Sequence, residues 1–431
     1  MTFSPWLVLF LAVPILLLGE WCVKRFAALR RFNIPAPVVG GLLVCLVVFG
    51  LNFSGLGKIV LGTRVNDGWW TWLVCAEPEW ASRPMRPINT LFMVGFFSCV
   101  GLNATWSVVR SGGRQLVIFW VVASLFAVLQ NVVGAGVSVA MGESPLLGMM
   151  CGSVTLSGGH STAQAFAEPF QLAGLQGAAV IGVAAATFGL IAGALLGGPI
   201  ATRLIEKHKL KSPEAGATGG GGGPATSVAV PEEPGFFVLL RALSREGFRL
   251  VATILVLFVC LKGGAWAAYL AQKAGVIFPV SMAGMLVGVI VRNAHDALGL
   301  KWLDSDVIDA MAALLLSIFL VITMAGLNLV ELAATALPMF VILVVQIALM
   351  GVFAIYVTFR AMGRDYDAAV MAAGHCGFGL GATSNAMATM LAVVQRHGPA
   401  RRAFLIVPPT GALLIDVTNG FMLTGILTWM T

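Results

Sequence analysis

Two short polar stretches interrupt an otherwise apolar chain of 431 residues. The first reads Thr155-Leu156-Ser157-Gly158-Gly159-His160-Ser161-Thr162. The second reads Gly374-His375-Cys376-Gly377-Phe378-Gly379-Leu380-Gly381-Ala382-Thr383-Ser384-Asn385. A glycine-rich break in an apolar helix bares backbone N–H and C=O groups, and at low dielectric these must find partners. The start of a half-helix favours a carboxylate, and C-terminal carbonyls favour a cation. Serine and threonine hydroxyls add donors for a carboxylate or oxygens for a hard cation. The candidate ligand-binding residues are therefore Ser157, Gly158, Gly159, His160, Ser161, Thr162, His375, Gly377, Gly379, Gly381, Thr383 and Asn385. For one such stretch alone, a kinked helix with small residues at a packing face is an equal reading. Two stretches at matching places favour binding. Four glycines within residues 374–381, each costing about 1 kcal/mol relative to alanine, predict that this part is not helical. The two histidines are expected to orient a ligand or to serve structure.

These stretches need a scaffold, and the composition says what kind. Hydrophobic residues make up 58% of the chain and charged residues 10%, against about 25% charged in a soluble domain. Too few polar side chains exist to cover a water-facing surface, so lipid is the solvent for most of it. Ten spans are predicted, at roughly 4–23, 38–53, 88–109, 115–141, 175–204, 249–271, 277–291, 307–329, 337–359 and 403–429. The short spans 38–53 and 277–291 begin at Pro37 and Pro279, a residue suited to a first helical turn. The polar stretches fall in two less apolar segments, about 145–172 and 366–394, read as re-entrant hairpins.

With the hairpins re-entrant, segment ends alternate cleanly. One side then holds 20 of the 26 Lys and Arg. By the positive-inside rule that side is the cytoplasm, and both termini are external. The net charge of +7 thus reads as a topology signal and not as nucleic-acid binding. The first apolar run lacks a basic segment before it and has Lys24, Arg25, Arg30 and Arg31 after it, which is backwards for a cleaved signal. Residues 205–248, with Gly219 through Gly223, read as a cytoplasmic flexible linker. The external loop 54–87 reads as a surface cap or an ordinary insertion.

Five landmarks recur in order: Pro37 and Pro279, Gly-Leu-Asn at 101–103 and 326–328, Gln130 and Gln346, Met-Gly at 141–142 and 362–363, and Gly-His at 159–160 and 374–375. Residues 1–204 and 249–431 thus form two repeats of five spans and one hairpin. An odd number of spans turns the second repeat upside down, a recurring design of secondary transporters. The fold class is an all-α polytopic membrane protein with ten transmembrane helices and two re-entrant hairpins in inverted-topology repeats.

The second stretch resembles the sodium/glutamate symporter family of bacterial inner membranes. The likeness extends over nearly the whole chain. It includes Pro-Val-Val-Gly-Gly-Leu-Leu-Val at 37–44, Gly-Leu-Asn-Ala at 101–104, Leu-Ser-Gly-Gly-His at 156–160 and Ala-Thr-Phe-Gly-Leu at 186–190. It continues with Asp-Ala-Ala-Val at 367–370, Gly-His-Cys-Gly-Phe-Gly-Leu-Gly-Ala-Thr at 374–383 and Ile-Asp at 415–416. The resemblance implies sodium-driven glutamate uptake in the inner (cytoplasmic) membrane by a homodimer with an elevator-like moving domain. Na+ would be the coupling ion, with no organic cofactor and no enzymatic activity. Ser161 stands where the family pattern leads one to expect glycine, Ser384 where it leads one to expect proline, and the 54–87 loop is longer than expected.

Sodium prefers neutral or acidic oxygens, so Asn103, Asn328, Asp416 and Thr155 are its candidate ligands. Gln130, Asn131 and Gln346 offer carbonyl oxygens too, against inter-helix hydrogen bonding. Lys262 reads as a counter-charge or, in preference, a snorkelling side chain. The seven cysteines show no CxxC or metal spacing. A carrier of another organic anion, such as citrate or a dicarboxylate, is the nearest rival, and a channel the next. An intramembrane enzyme built on His375 and Cys376 is disfavoured, because adjacent residues seldom pair as base and nucleophile.

Overall fold

The computed structural model describes residues 2–31, 34–54, 59–66, 68–82, 85–212, 247–300, 302–327 and 329–430. Asn328 and residues 213–246 of the expected linker lie outside them. The principal helices in chain order are α1 (Pro5–Arg25), α2 (Ala36–Phe53), α3 (Thr90–Leu102), α4 (Trp106–Ala140), α5 (Pro145–Met149), α6 (Gly159–Leu172) and α7 (Ala178–His208). They continue with α8 (Gly247–Lys273), α9 (Val280–Ala297), α10 (Ser305–Ala325), α11 (Leu329–Phe353), α12 (Tyr366–Gly379), α13 (Thr383–His397), α14 (Arg401–Pro409) and α15 (Ile415–Met430). Two strand pairs of two residues each, Thr2–Phe3 with Val60–Leu61 and Arg64–Val65 with Arg86–Pro87, are the sheet structure among the described residues.

Among the described residues, eight helical segments are long and apolar enough to cross a membrane. The chain is a polytopic, multi-pass membrane protein. The segment at Thr90–Leu102 is apolar but shorter, and α9 carries Arg292, His295 and Asp296 in its last turns. Prolines stand at the starts of both short helices, Pro37 in the first turn of α2 and Pro279 as the cap of α9. Gly142 and Gly363, from the two Met-Gly pairs, both follow a helix end with positive φ, 81° and 110°. Glycine suits that left-handed position because it has no Cβ to clash.

The chain divides into two compact units, each drawing on both halves of the sequence. The first holds α1–α3, α8–α10 and the end of α15. Its core includes Val94, Cys99, Leu102, Cys260, Leu261 and Met311. Helices α3 and α9 approach so closely that a Cβ on Gly101 would lie 2.0 Å from the Met285 carbonyl oxygen. Small residues at helix crossings are the usual means of packing where lipid supplies no hydrophobic drive.

Lys262 of α8 acts as a counter-charge. Its Nζ donates to the carbonyls of Trp72 and Cys75, each at 2.8 Å, and pairs with Glu77 at 2.9 Å. It also sits 3.8 Å from the centre of a Trp72 ring. The hydrogen bond from this ammonium holds the Glu77 carboxyl below the usual carboxylate range. One cation thus ties the loop at 68–82 to α8. Lys262→Met should release that loop, raising its amide exchange about tenfold while α3 and α9 keep their protection, as read by hydrogen-exchange mass spectrometry. Unchanged exchange at 68–82 would refute the tie.

The second unit holds most of α4, α5–α7, α11–α14 and the start of α15. Both polar stretches belong to it.

Candidate functional site

The first polar stretch lies between α5 and α6. Helix α5 starts cleanly: Pro145 occupies its first turn and the Ser144 hydroxyl accepts from the Leu146 amide at 3.3 Å. It then widens into a π-turn at Met150–Val154, where Gly152 leaves helical geometry (φ −104°, ψ −132°). Side chains from two other helices take up the freed backbone. The Ser153 amide donates to Asn131 Oδ1 at 3.0 Å, and Asn419 Nδ2 donates to the Ser153 carbonyl at 2.9 Å. The Ser153 hydroxyl donates to Asn419 Oδ1 at 2.6 Å. Gly159 then opens α6 with φ +65°.

The second stretch lies between α12 and α13. Asp365 caps α12 by accepting from the Ala368 amide at 2.9 Å, and Arg402 holds its other oxygen at 2.6 Å. The expectation of a non-helical 374–381 does not hold. Helix α12 runs through Gly374 and Gly377 to Gly379, and the break is confined to residues 380–382. Packing outweighs propensity here. A Cβ on Gly377 would lie 2.5 Å from the Ala386 backbone, and one on Gly374 would lie 2.6 Å from Met390 Sδ. These glycines let the two arms of the hairpin touch.

The two breaks meet. The space where a Gly159 Cβ would sit is 3.1 Å from the Gly381 carbonyl oxygen. Three elements hold the meeting point. Gln130 on α4 reaches both sides: its Oε1 accepts from Ser157 Oγ at 2.6 Å, and its Nε2 donates to the Gly379 carbonyl at 2.9 Å. Gln346 on α11 donates to the Gln130 carbonyl at 2.6 Å. Helix α7 contributes Thr187, whose hydroxyl donates to Val183, so the His160 Nε2 contact at 3.0 Å makes that nitrogen the donor. Asn385 Nδ2 donates to the Leu190 carbonyl at 2.6 Å, and Gly189 leaves room for the Leu380 carbonyl.

What this arrangement offers a ligand is read from what it leaves unpaired. The helices that lead into the two breaks, α5 and α12, are capped by side chains, Ser144 and Asp365. The inner helices α6 and α13 start at Gly158 and Ala382 with no side-chain cap. The amides of Gly159, His160, Ser161, Thr383, Ser384 and Asn385 have no acceptor among the described residues. The oxygens Thr162 Oγ1 and Asn385 Oδ1 are buried and unpartnered there as well. Two positive helix starts thus meet, and each carries a bare oxygen within its first turn, a set suited to an anion with more than one carboxylate and to a hard cation.

Not every candidate joins this point. His375 sits inside α12 among Phe119, Phe126, Phe353 and Phe378, with Nδ1 2.8 Å from Thr358 Oγ1. The Gly-His pairs therefore do not correspond in position, since Gly159-His160 opens a helix and Gly374-His375 is within one. Thr155 Oγ1 donates to the Met150 carbonyl at 2.8 Å. Asp416 lies in the first turn of α15, three residues before Asn419 and on the same face. Asn103 belongs to the first unit, where its Nδ2 donates to Asp309 at 2.6 Å.

A sequence model of the sodium/glutamate symporter family matches residues 1–68 and 83–399. A sodium/glutamate symporter of Haemophilus influenzae is 38% identical over 424 residues, covering 98% of this chain and 96% of that protein. An Escherichia coli K12 protein of the same name is 38% identical over 412 residues, covering 95% of this chain and 93% of its own. The chain belongs to the sodium/glutamate symporter family. The match to the symporter model is interrupted at 69–82, within the loop tied down by Lys262. The Ala-Thr-Phe-Gly-Leu run at 186–190 acquires a physical reason in this structure. Thr187 holds His160, Gly189 admits Leu380 and Leu190 holds Asn385. Thr187, Asn131, Asn419 and Gln130 support the site; the sequence marks Gln130 and Asn131 as polar groups of either a ligand or an inter-helix bond and Thr187 only within the 186–190 run.

Proposed function

We propose that this chain is a secondary carrier that takes up L-glutamate coupled to Na+ by alternating access. The observation that carries the reading is the meeting of two uncapped half-helix starts, α6 and α13, in one unit. Glutamate has two carboxylates, and each helix start supplies amides for one. Ser161 and Thr383 add hydroxyls beside those amides. Sodium would be taken by Thr162 Oγ1 and Asn385 Oδ1, and Asp416, three residues before Asn419 on α15, would serve a second, separate ion. A bound cation near the helix starts strengthens the field that holds the substrate's two carboxylates. The membrane potential adds about 2.3 kcal/mol per net charge per 100 mV to inward movement. Coupling more than one Na+ per glutamate would draw on it.

The rest of the scheme follows as expectation. Residues 145–172 and 366–394 enter as re-entrant hairpins from opposite sides, within inverted repeats 1–204 and 249–431. Because both hairpins and every group named for glutamate belong to one unit, that unit can carry its cargo as a body, as an elevator does. A homodimer in the bacterial inner membrane, with external termini, completes the reading, and the Lys/Arg bias supports that orientation.

The test is uptake of radiolabelled glutamate into proteoliposomes under an imposed sodium gradient, with potassium as the control cation. Uptake should fall at least about tenfold when potassium replaces sodium. Unlabelled aspartate and citrate should compete far less than unlabelled glutamate. Uptake indifferent to sodium would sink the proposal, and competition led by citrate would reassign the substrate.

A further inference from the structure

We propose that the cleft between the ends of α7 and α13 binds the headgroup of an anionic phospholipid. This cleft has a volume of about 700 Å3. Its lining changes along its length. Gly198, Pro199 and Ala392 make one end apolar, and Arg203, Lys207, Arg396 and His397 make the other basic. Gly198 and Lys207 are nine residues apart, roughly 13 Å of helix at about 1.5 Å per residue. The whole lining thus spans about half the hydrocarbon thickness of a bilayer, and the first carbons of an acyl chain can meet the apolar end while the headgroup meets the basic end.

The charges are available for such a ligand. Arg203 and Lys207 are one turn apart on α7, and Arg396 comes from α13. None of the three has an ion-pair partner among the described residues. His397 Nε2 is buried with no hydrogen-bond partner there. Glu206 is the single carboxylate in the lining. Scattered basic residues at helix ends are ordinarily solvated topology signals. Convergence from two helices onto one cleft with an apolar floor goes beyond that pattern, and basic pockets between membrane helices suit anionic headgroups. Inorganic phosphate shares the charge chemistry but gains nothing from the apolar end. A lipid seated here would bridge α7 to α13, the second arm of the second hairpin. It does not depend on what the carrier transports.

Native mass spectrometry of the full-length protein tests this, with phosphatidylglycerol and phosphatidylcholine of identical chains as probes. Phosphatidylglycerol should be retained in preference, and Arg203→Gln with Arg396→Gln should weaken its retention about thirtyfold while leaving phosphatidylcholine unchanged. Arg203→Lys with Arg396→Lys should keep most of the retention, which separates lost charge from lost folding. Should the glutamine pair fail to fold, Lys207→Gln alone should weaken retention about fivefold. Equal retention by the wild type and the glutamine variants would overturn the proposal. So would displacement of phosphatidylglycerol by excess inorganic phosphate, which would make this a free-phosphate site.

Discussion

Alanine in place of Gly377 is expected to cut sodium-driven glutamate uptake to below about a tenth of wild type. The added Cβ would lie 2.5 Å from the Cα and N of Ala386. Both are backbone atoms and no side chain can swing away, so the arms of the second hairpin must part. Overpacking of this kind costs about 1–3 kcal/mol, and about 1.4 kcal/mol is tenfold in an equilibrium. The displaced segment leads directly into residues 380–382, so the start of α13 moves away from Gly159. Gly136→Ala on α4 is the control, because no atom beyond the adjacent backbone of its own helix lies within 4 Å of its added methyl group. That variant should transport normally and gain roughly 0.5–1 kcal/mol of stability. Initial uptake rates and melting temperatures at matched reconstitution distinguish the two. A Gly377→Ala protein that transports at the wild-type rate would show that the arms are not in close contact.

Gln130→Leu is the second substitution with a large expected effect. Leucine fills much of the volume and removes both functions of the amide. Ser157 Oγ loses its acceptor and the Gly379 carbonyl loses its donor, at 2.6 and 2.9 Å respectively. Leaving two buried groups unpaired costs about 1–3 kcal/mol each in water-soluble cores, and less where the unfolded chain in the membrane also finds partners. A loss of about 2 kcal/mol in stability and a roughly tenfold to hundredfold loss of uptake are expected. Gln346→Leu removes one bond, to the Gln130 carbonyl, and should cost less. In a double-mutant cycle, Gln130→Leu and Ser157→Ala should couple by about 0.5–1 kcal/mol, since each already breaks the shared bond. Strict additivity would show that the 2.6 Å contact carries no energy.

These two residues also show where sequence reading stops. Gln130 was visible as a landmark that recurs at Gln346, but a mid-helix glutamine reads equally as a ligand and as an inter-helix bond. Only the placement of α4 against both breaks shows that its amide ties Ser157 to Gly379. Gly377 was visible as one of four glycines, and propensity assigned it to a loop. Propensity counts what a residue costs its own helix and not what its missing side chain gains for a neighbour. The same blindness put His375 at a binding position. Its glycine neighbour matched Gly159-His160 in sequence, while three phenylalanines from two other helices, with Phe378 of its own, decided its actual setting.

Lys262 and Asn103 make the complementary case. A lone lysine in an apolar run has a sound local expectation, to snorkel, because the chain around it offers no acceptor. Its acceptors lie near residue 75, nearly two hundred positions away. Asn103 carries an oxygen suited to sodium, yet it lies in the unit that does not hold the two polar stretches.

What the sequence determined by itself is whatever depends on solvent and on local chain chemistry. A chain with 58% hydrophobic and 10% charged residues must live in lipid. Prolines and capping residues opened helices near the expected positions, and the polar stretches marked both helix breaks to within a few residues. What only the tertiary structure decided is which bare groups face one another. Two uncapped helix starts, two unpartnered oxygens and the glutamine that braces them come from segments between 130 and 385. Their convergence is a property of packing between distant segments, and the short-range rules that shape each helix are silent about it.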